Sequence, residues 1–142
     1  THWRILMVNS RNKGAAFERA VCTLINKHIR NEFEPIAKRN LDQYQVGGCD
    51  IVFRNFAIEC KAYKGGSGDW AKEQWWDQAC ASATAEQIPV LIYKYNNKPI
   101  GAVIHGYLIE PSLLPDKSVH IQMPLKELCS HLKIILKNAN NI

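Results

Sequence analysis

The amino-acid sequence predicts an α/β protein, a mixed central sheet flanked by helices and closed by a C-terminal helix. Two segments, residues 14–31 and 125–137, repeat their apolar residues at the three- and four-residue spacing of an amphipathic helix. Four short β-like runs, at 49–53, 56–63, 88–95 and 100–108, are bounded by turn residues. The runs come as a pair, then a helical stretch, then a second pair. That order departs from the strict strand–helix alternation of a doubly wound sheet.

Each element has a local reason. Phe17, Ala20, Val21, Leu24, Ile25, His28 and Ile29 line one face of the first helix, and Ser10 or Asn12 can cap its start. Residues 33–39 read as a short strand before a polar loop, and Gly47-Gly48 interrupt the chain. Arg54-Asn55 has the length of a tight hairpin turn between the first two long runs. After the Gly65-Gly66-Ser67-Gly68 loop, Asp69 is expected to cap a helix over 70–86. Asn96, Asn97 and Pro99 mark the turn of the second pair. Residues 111–123 read as a loop, and Pro124 opens the last helix.

At 142 residues the chain is about one domain and can bury a core without staples. With 46% hydrophobic and 22% charged residues, global disorder is excluded. No apolar run approaches the ~20 residues of a membrane span, and no secretory leader stands at the start, so a cytoplasmic protein is expected. Residues 7–142 are read as the domain. Met7 is taken as the natural start, and residues 1–6 as a cloning remnant or a disordered arm. The net charge of +5 permits a nucleic-acid partner without requiring one. Cys22, Cys49, Cys60, Cys80 and Cys129 form no Cys-x-x-Cys pair, so they read as reduced core thiols and not as a zinc site.

The first hairpin carries the sharpest chemical pattern. Glu59 and Lys61 are two residues apart on one strand and therefore share a face, while Ile58 and Cys60 point to the other. Asp50, at the start of the partner strand, can approach Glu59 across the hairpin. Two adjacent carboxylates repel unless a cation neutralises them. Mg²⁺ suits oxygen ligands, and a neighbouring lysine can orient a water or stabilise phosphate charge. This is the equipment of phosphodiester hydrolysis. A solvated Glu–Lys pair on a strand face would give the same pattern, and the pattern alone does not choose between the two.

Further motifs surround it in order. Lys13-Gly14-Ala15-Ala16-Phe17-Glu18-Arg19 precedes Gly48-Cys49-Asp50-Ile51 and Ile58-Glu59-Cys60-Lys61; Trp75-Trp76-Asp77-Gln78-Ala79 and Ile88-Pro89-Val90-Leu91-Ile92-Tyr93 follow. Over residues 12–95 the chain resembles the PD-(D/E)XK nuclease superfamily, and within it the phage-type Holliday-junction resolvase branch. Cys49 stands where the superfamily motif often has proline, and nothing beyond about residue 98 matches a junction-specific motif. The resemblance implies a restriction-endonuclease-like core of α-β-β-β-α-β order and a DNA endonuclease leaving 5′-phosphate and 3′-hydroxyl ends. It implies Mg²⁺, with Mn²⁺ as a substitute, held by Asp50, Glu59 and the backbone carbonyl of Cys60. Glu18 would hold a second ion or a bound water, Lys61 would orient the attacking water, and Gln78 would position a ligand, the lysine or the DNA. The implied substrate is a four-way DNA junction cut by a homodimer; duplex, flap or single-stranded DNA, or DNA binding without cleavage, are the alternatives.

Other residues have weaker claims. Arg11, Lys13, Arg19, Lys38 and Arg39 could contact phosphates or form an ordinary basic face, with Arg39 the strongest choice. Trp75 reads as core and Trp76 as a possible interface residue. The glycine loop lacks the Gly-Lys-Ser/Thr of a phosphate loop, and the histidines show no metal-ligand spacing. The apolar stripe of the last helix either covers the chain's own core or supports a dimer.

Overall fold

A computed structural model describes residues 2–29, 33–41, 47–65 and 70–140, with side chains described within 14–139 of these stretches. The elements in chain order are α1 (His2–Ile29), β1 (Lys38–Arg39), β2 (Ile51–Phe53), β3 (Phe56–Tyr63), α2 (Glu73–Ser82), β4 (Ile88–Tyr95), β5 (Gly101–His105), β6 (His120–Pro124) and α3 (Leu125–Asn140). The strands form one six-stranded sheet in sequence order, β1 to β6. Every neighbouring pair is antiparallel except β3–β4, which is parallel and joined through α2. This is a mixed sheet with flanking helices and a C-terminal helix, the restriction-endonuclease-like α/β arrangement expected from the sequence.

The two faces of the sheet are packed differently. Phe17, Val21, Ile25 and Ile29 of α1 and Leu125, Leu128, Leu132 and Leu136 of α3 bury against Ile51, Phe53, Phe56, Ile58, Val90 and Ile92. On the opposite face, Trp75, Trp76 and Ala79 of α2 meet Leu91, Tyr93, Tyr95 and Val103. Strand alternation divides β4 and β5 between these clusters. The stripe on α3 is thereby occupied by the chain's own core. All five cysteines are free thiols. Burial raises Cys22, Cys80 and Cys129 to about 11.

Several boundaries differ from expectation. The first helix starts at His2 and not at residue 14, and it places Ser10 and Asn12 inside the helix. Residues 2–13 lack amphipathic periodicity, but they contain no proline and many good helix formers. Residues 2–6, read as a remnant or arm, thus continue the helical backbone. The second helix is shorter than 70–86 because its flanks are held elsewhere. Tyr95 donates its hydroxyl to the Trp70 carbonyl at 2.8 Å, and the Ala71 amide donates to Gln122 Oε1 at 3.0 Å. Lys72 is the N-cap, and Asp69 lies outside the described residues. The first strand shrinks to Lys38–Arg39, and a 3₁₀ turn over Gly106–Leu108 ends β5 early. The loop expected over 111–123 contains the start of an edge strand, β6. Only Met123 of that strand is buried, so no alternating pattern announced it. Trp76 is 2% exposed and donates its indole N–H to the Lys117 carbonyl at 2.7 Å, which makes it a core residue. No helix among the described residues is long and apolar enough to cross a membrane.

Candidate active site

The β2–β3 hairpin sets the geometry. Arg54 takes a left-handed φ of 52° in the connecting turn, and the register pairs Ile51 with Ile58 and Phe53 with Phe56. Continued by one pair, that register sets Asp50 opposite Glu59. The Asp50 amide donates to the Ile58 carbonyl at 3.0 Å. Its side chain then takes the place of the next main-chain partner, with Oδ2 accepting from the Cys60 amide at 2.8 Å. One carboxylate is thus clamped to the backbone beside the other.

Glu59 is 4% exposed and lies on the face covered by α2. Gln78 Nε2 of that helix donates to Glu59 Oε1 at 3.4 Å, while Oε2 is buried with no hydrogen-bond partner. Burial first, then the Asp50 carboxylate beside it, push the Glu59 carboxyl up to about 8. Lys61 and Ser82 pull it the other way. Cys60 points to the α1 face, where burial above all holds its thiol well above the ordinary range. It is not placed as a nucleophile.

The loop before Asp50 is positioned by residues that the sequence reading passed over as punctuation. Gly47 has φ +68°, and a Cβ there would lie 3.0 Å from Thr84 Cγ2 and 3.1 Å from Gln87 Oε1. The Gly48 amide donates to the Ser82 carbonyl at 3.3 Å. Gly47 and Gly48 therefore seat the Asp50 strand on the end of α2. The glycine pair directly before Asp50 was the available signal.

Glu18 stands apart from the two carboxylates. It lies on α1, against the other face of the sheet, and its Oε2 accepts from Arg39 Nε at 2.8 Å. Arg39 pairs with Ile51 across β1–β2 and shares the α1 face, whereas Lys38 pairs with Val52 and shares the face of Asp50. Lys38 is exposed, as is Arg19 on α1. The side chains of Arg11 and Lys13 lie outside the described residues.

Among the described residues no group of three or more His, Cys, Asp or Glu side chains could hold a metal ion. The pair Asp50–Glu59 nevertheless suits Mg²⁺, which is commonly bound by one or two carboxylates together with water and substrate phosphates. The orphaned Glu59 Oε2 and the raised Glu59 carboxyl mark a pair of carboxylates that a bound cation would neutralise.

Residues 9–123 match the family described as "Phage putative PDDEXK endonuclease". No curated protein and no solved structure matches the chain.

Proposed function

From the premise that this chain belongs to the phage PDDEXK endonuclease family, we propose that it is a Mg²⁺-dependent, structure-selective DNA endonuclease, acting as a homodimer on four-way junctions. The observation that carries the reading is the opposed pair Asp50 and Glu59, one clamped by the Cys60 amide, the other buried with a free oxygen, with Lys61 on the same face.

Asp50, Glu59 and the Cys60 carbonyl would hold the ion. Bound there, it supplies positive charge for the phosphate oxygens and acidifies a water. The clamp on Asp50 keeps one ligand from swinging, and Gln78 orients the other. Lys61 positions the attacking water for in-line approach to phosphorus and takes or balances its proton. The P–O3′ bond breaks, leaving a 5′-phosphate and a 3′-hydroxyl. Lys38, whose register with Val52 sets it on the Asp50 face, would meet a neighbouring phosphate.

The test is a cleavage assay with Mg²⁺ and with EDTA on equal amounts of labelled four-way junction, linear duplex and single strand. Paired symmetric nicks in the junction alone, dependent on Mg²⁺, are the expected result. Cutting of all three keeps the nuclease and overturns the junction preference. Tight junction binding with no cutting overturns the enzyme.

A further inference from the structure

The row Glu59, Lys61 and Tyr63 on β3 runs out of the candidate active site into an aromatic cluster. Tyr63 lies four residues beyond Glu59 on the same face, roughly 13 Å along a strand that rises ~3.3 Å per residue. Trp75 packs between Tyr63, Tyr93 and Tyr95, with ring centroids 5.7, 6.2 and 5.6 Å away. The Lys72 amine sits 3.8 Å over the Tyr63 ring.

Beside this cluster opens a cavity of about 340 Å³ between Trp70, Tyr95, Lys98 and Gln122. Tyr93 also lines it, its ring so close to Gly101 that a Cβ there would come within 2.5 Å of it. Trp70 is the unusual member. Its backbone is held by the Tyr95 hydroxyl, and the next amide is held by Gln122, yet its indole is 74% exposed. A large apolar ring on a fixed backbone is thus left in water above a pocket, where burying it would be favourable.

We propose that Trp70 and the pocket beneath it take one nucleobase of an unpaired DNA stretch lying a few nucleotides from the scissile phosphate. The inference rests on the nuclease reading above for the position of that phosphate. Continuity argues for this occupant: β3 leads from Glu59 and Lys61 to Tyr63, whose ring lies 6.2 Å from Tyr95, and Tyr95 in turn holds the Trp70 carbonyl. Charge agrees: Lys72 and Lys98 flank the aromatics, and among the described residues no Asp or Glu lines the cavity. Aromatic faces beside cations are how single strands are held without sequence preference. The volume lies at the small end of ligand pockets, ~300–1,000 Å³, which suits one base and not a stack.

The experiment measures binding of a fluorescein-labelled oligothymidylate by anisotropy, in EDTA so that nothing is cut, with wild type, Trp70→Ala and Trp70→Phe. A second oligonucleotide carries an abasic site at each position in turn. Trp70→Ala is expected to weaken binding about tenfold, as loss of one base–aromatic stack does. Trp70→Phe should recover most of it. One abasic position should cost wild type a similar factor and Trp70→Ala nothing. Equal binding by wild type and Trp70→Ala overturns the proposal. So does a wild type that ignores single strands while cutting duplex, and the nuclease reading survives that result. A Trp70→Ala protein that loses a dimer, seen by sedimentation, but keeps its oligonucleotide affinity overturns it in favour of a second copy on this surface. Trp70-dependent binding in a protein that cuts no DNA upholds the pocket and sinks the nuclease.

Discussion

The two faces of the sheet divide stability from chemistry. On the α1–α3 side, long helices bury aliphatic side chains of four strands, and the polar groups among them are paired: Glu18 with Arg39, and Asn26 with the Ala37 backbone. On the other side a ten-residue helix, α2, covers the sheet. There Glu59 is buried with an oxygen unpaired, Tyr63 is left exposed, and Trp70 stands in solvent. Among the described residues no buried side-chain polar atom on the first face lacks a partner. The second carries polar and aromatic groups that the chain alone does not satisfy. The lesson is local: one sheet keeps its fold with one surface and leaves its reactive groups incomplete on the other.

The sharpest way to break this division is to remove a carboxylate. Asp50→Asn or Glu59→Gln is expected to lower cleavage by about a thousandfold or more. Without metal, DNA binding should hold or tighten in Asp50→Asn, which loses a negative charge, and hold in Glu59→Gln, since the Glu59 carboxyl already carries its proton near neutral pH. Lys61→Ala should lose rate by about 10²-fold or more and leave metal affinity close to wild type. Single-turnover cleavage and Mg²⁺ titration check both. If Asp50→Asn and Glu59→Gln still cut at the wild-type rate, the site lies elsewhere.

A matched pair sharpens the comparison. Leu132 is fully buried on the α1–α3 side, and Leu132→Ala should cost about 2–5 kcal/mol of stability. Its folded fraction should cut DNA normally. Gln78 is exposed and touches Glu59, so Gln78→Ala should change stability by less than about 0.5 kcal/mol. Cleavage should nonetheless fall about 10–100-fold, as for loss of a residue that orients a metal ligand. Denaturant unfolding and kcat on the same preparations separate the two. A Gln78→Ala protein with full activity would remove α2 from the chemistry.

Much of the site could be read before the structure, and the reasons are physical. A period of two is enough to put Glu59 and Lys61 on one face and Cys60 on the other, and a two-residue turn at Arg54-Asn55 is enough to bring Asp50 near Glu59. These are short-range facts. The parts that escaped depend on contacts distant in the chain. Strand β6 has one buried residue and exists through its pairing with β5. The start of α2 is displaced by bonds from Tyr95 and Gln122 to the residues before it. Glu18 can be picked out in one dimension, but its ion pair with Arg39, 21 residues further along the chain, is visible only in the fold. Gly47 reads as a break until its positive φ and the close Thr84 and Gln87 side chains are seen to favour glycine there.

Acid and base should act on the site with a definite sign. The Glu59 carboxyl sits at about 8 in the folded chain against an ordinary 4.5. Between those values the metal-free folded protein keeps a proton that the unfolded chain has lost. Its stability therefore falls as pH rises through that window, by a few kcal/mol at most. Glu59→Gln should abolish this slope, and millimolar Mg²⁺ should flatten it by favouring the carboxylate. Thermal unfolding from pH 4 to 9, with and without Mg²⁺, reads the outcome. A slope unchanged in Glu59→Gln would assign the pH dependence to another group.

The smallest effect tests the division at its narrowest point, two adjacent residues of β1. Lys38 shares the Asp50 face, and Arg39 shares the α1 face with Glu18. If DNA lies on the Asp50 face, Lys38 meets a phosphate and Arg39 stays with its carboxylate. Lys38→Ala should then weaken duplex binding and reduce the slope of log affinity against log salt by about 0.9, the release expected for one phosphate contact. Arg39→Ala should leave the slope alone and cost no more than about 1 kcal/mol of stability, because its ion pair is partly exposed. Binding isotherms over a salt series distinguish the two residues. Equal flattening by both would mean that the DNA reaches over the sheet edge onto the α1 side, where Arg39 would have to leave Glu18 to meet it. In that case Glu18→Gln, which frees the guanidinium, should tighten binding and steepen the slope, and the separation of the two faces would end at β1.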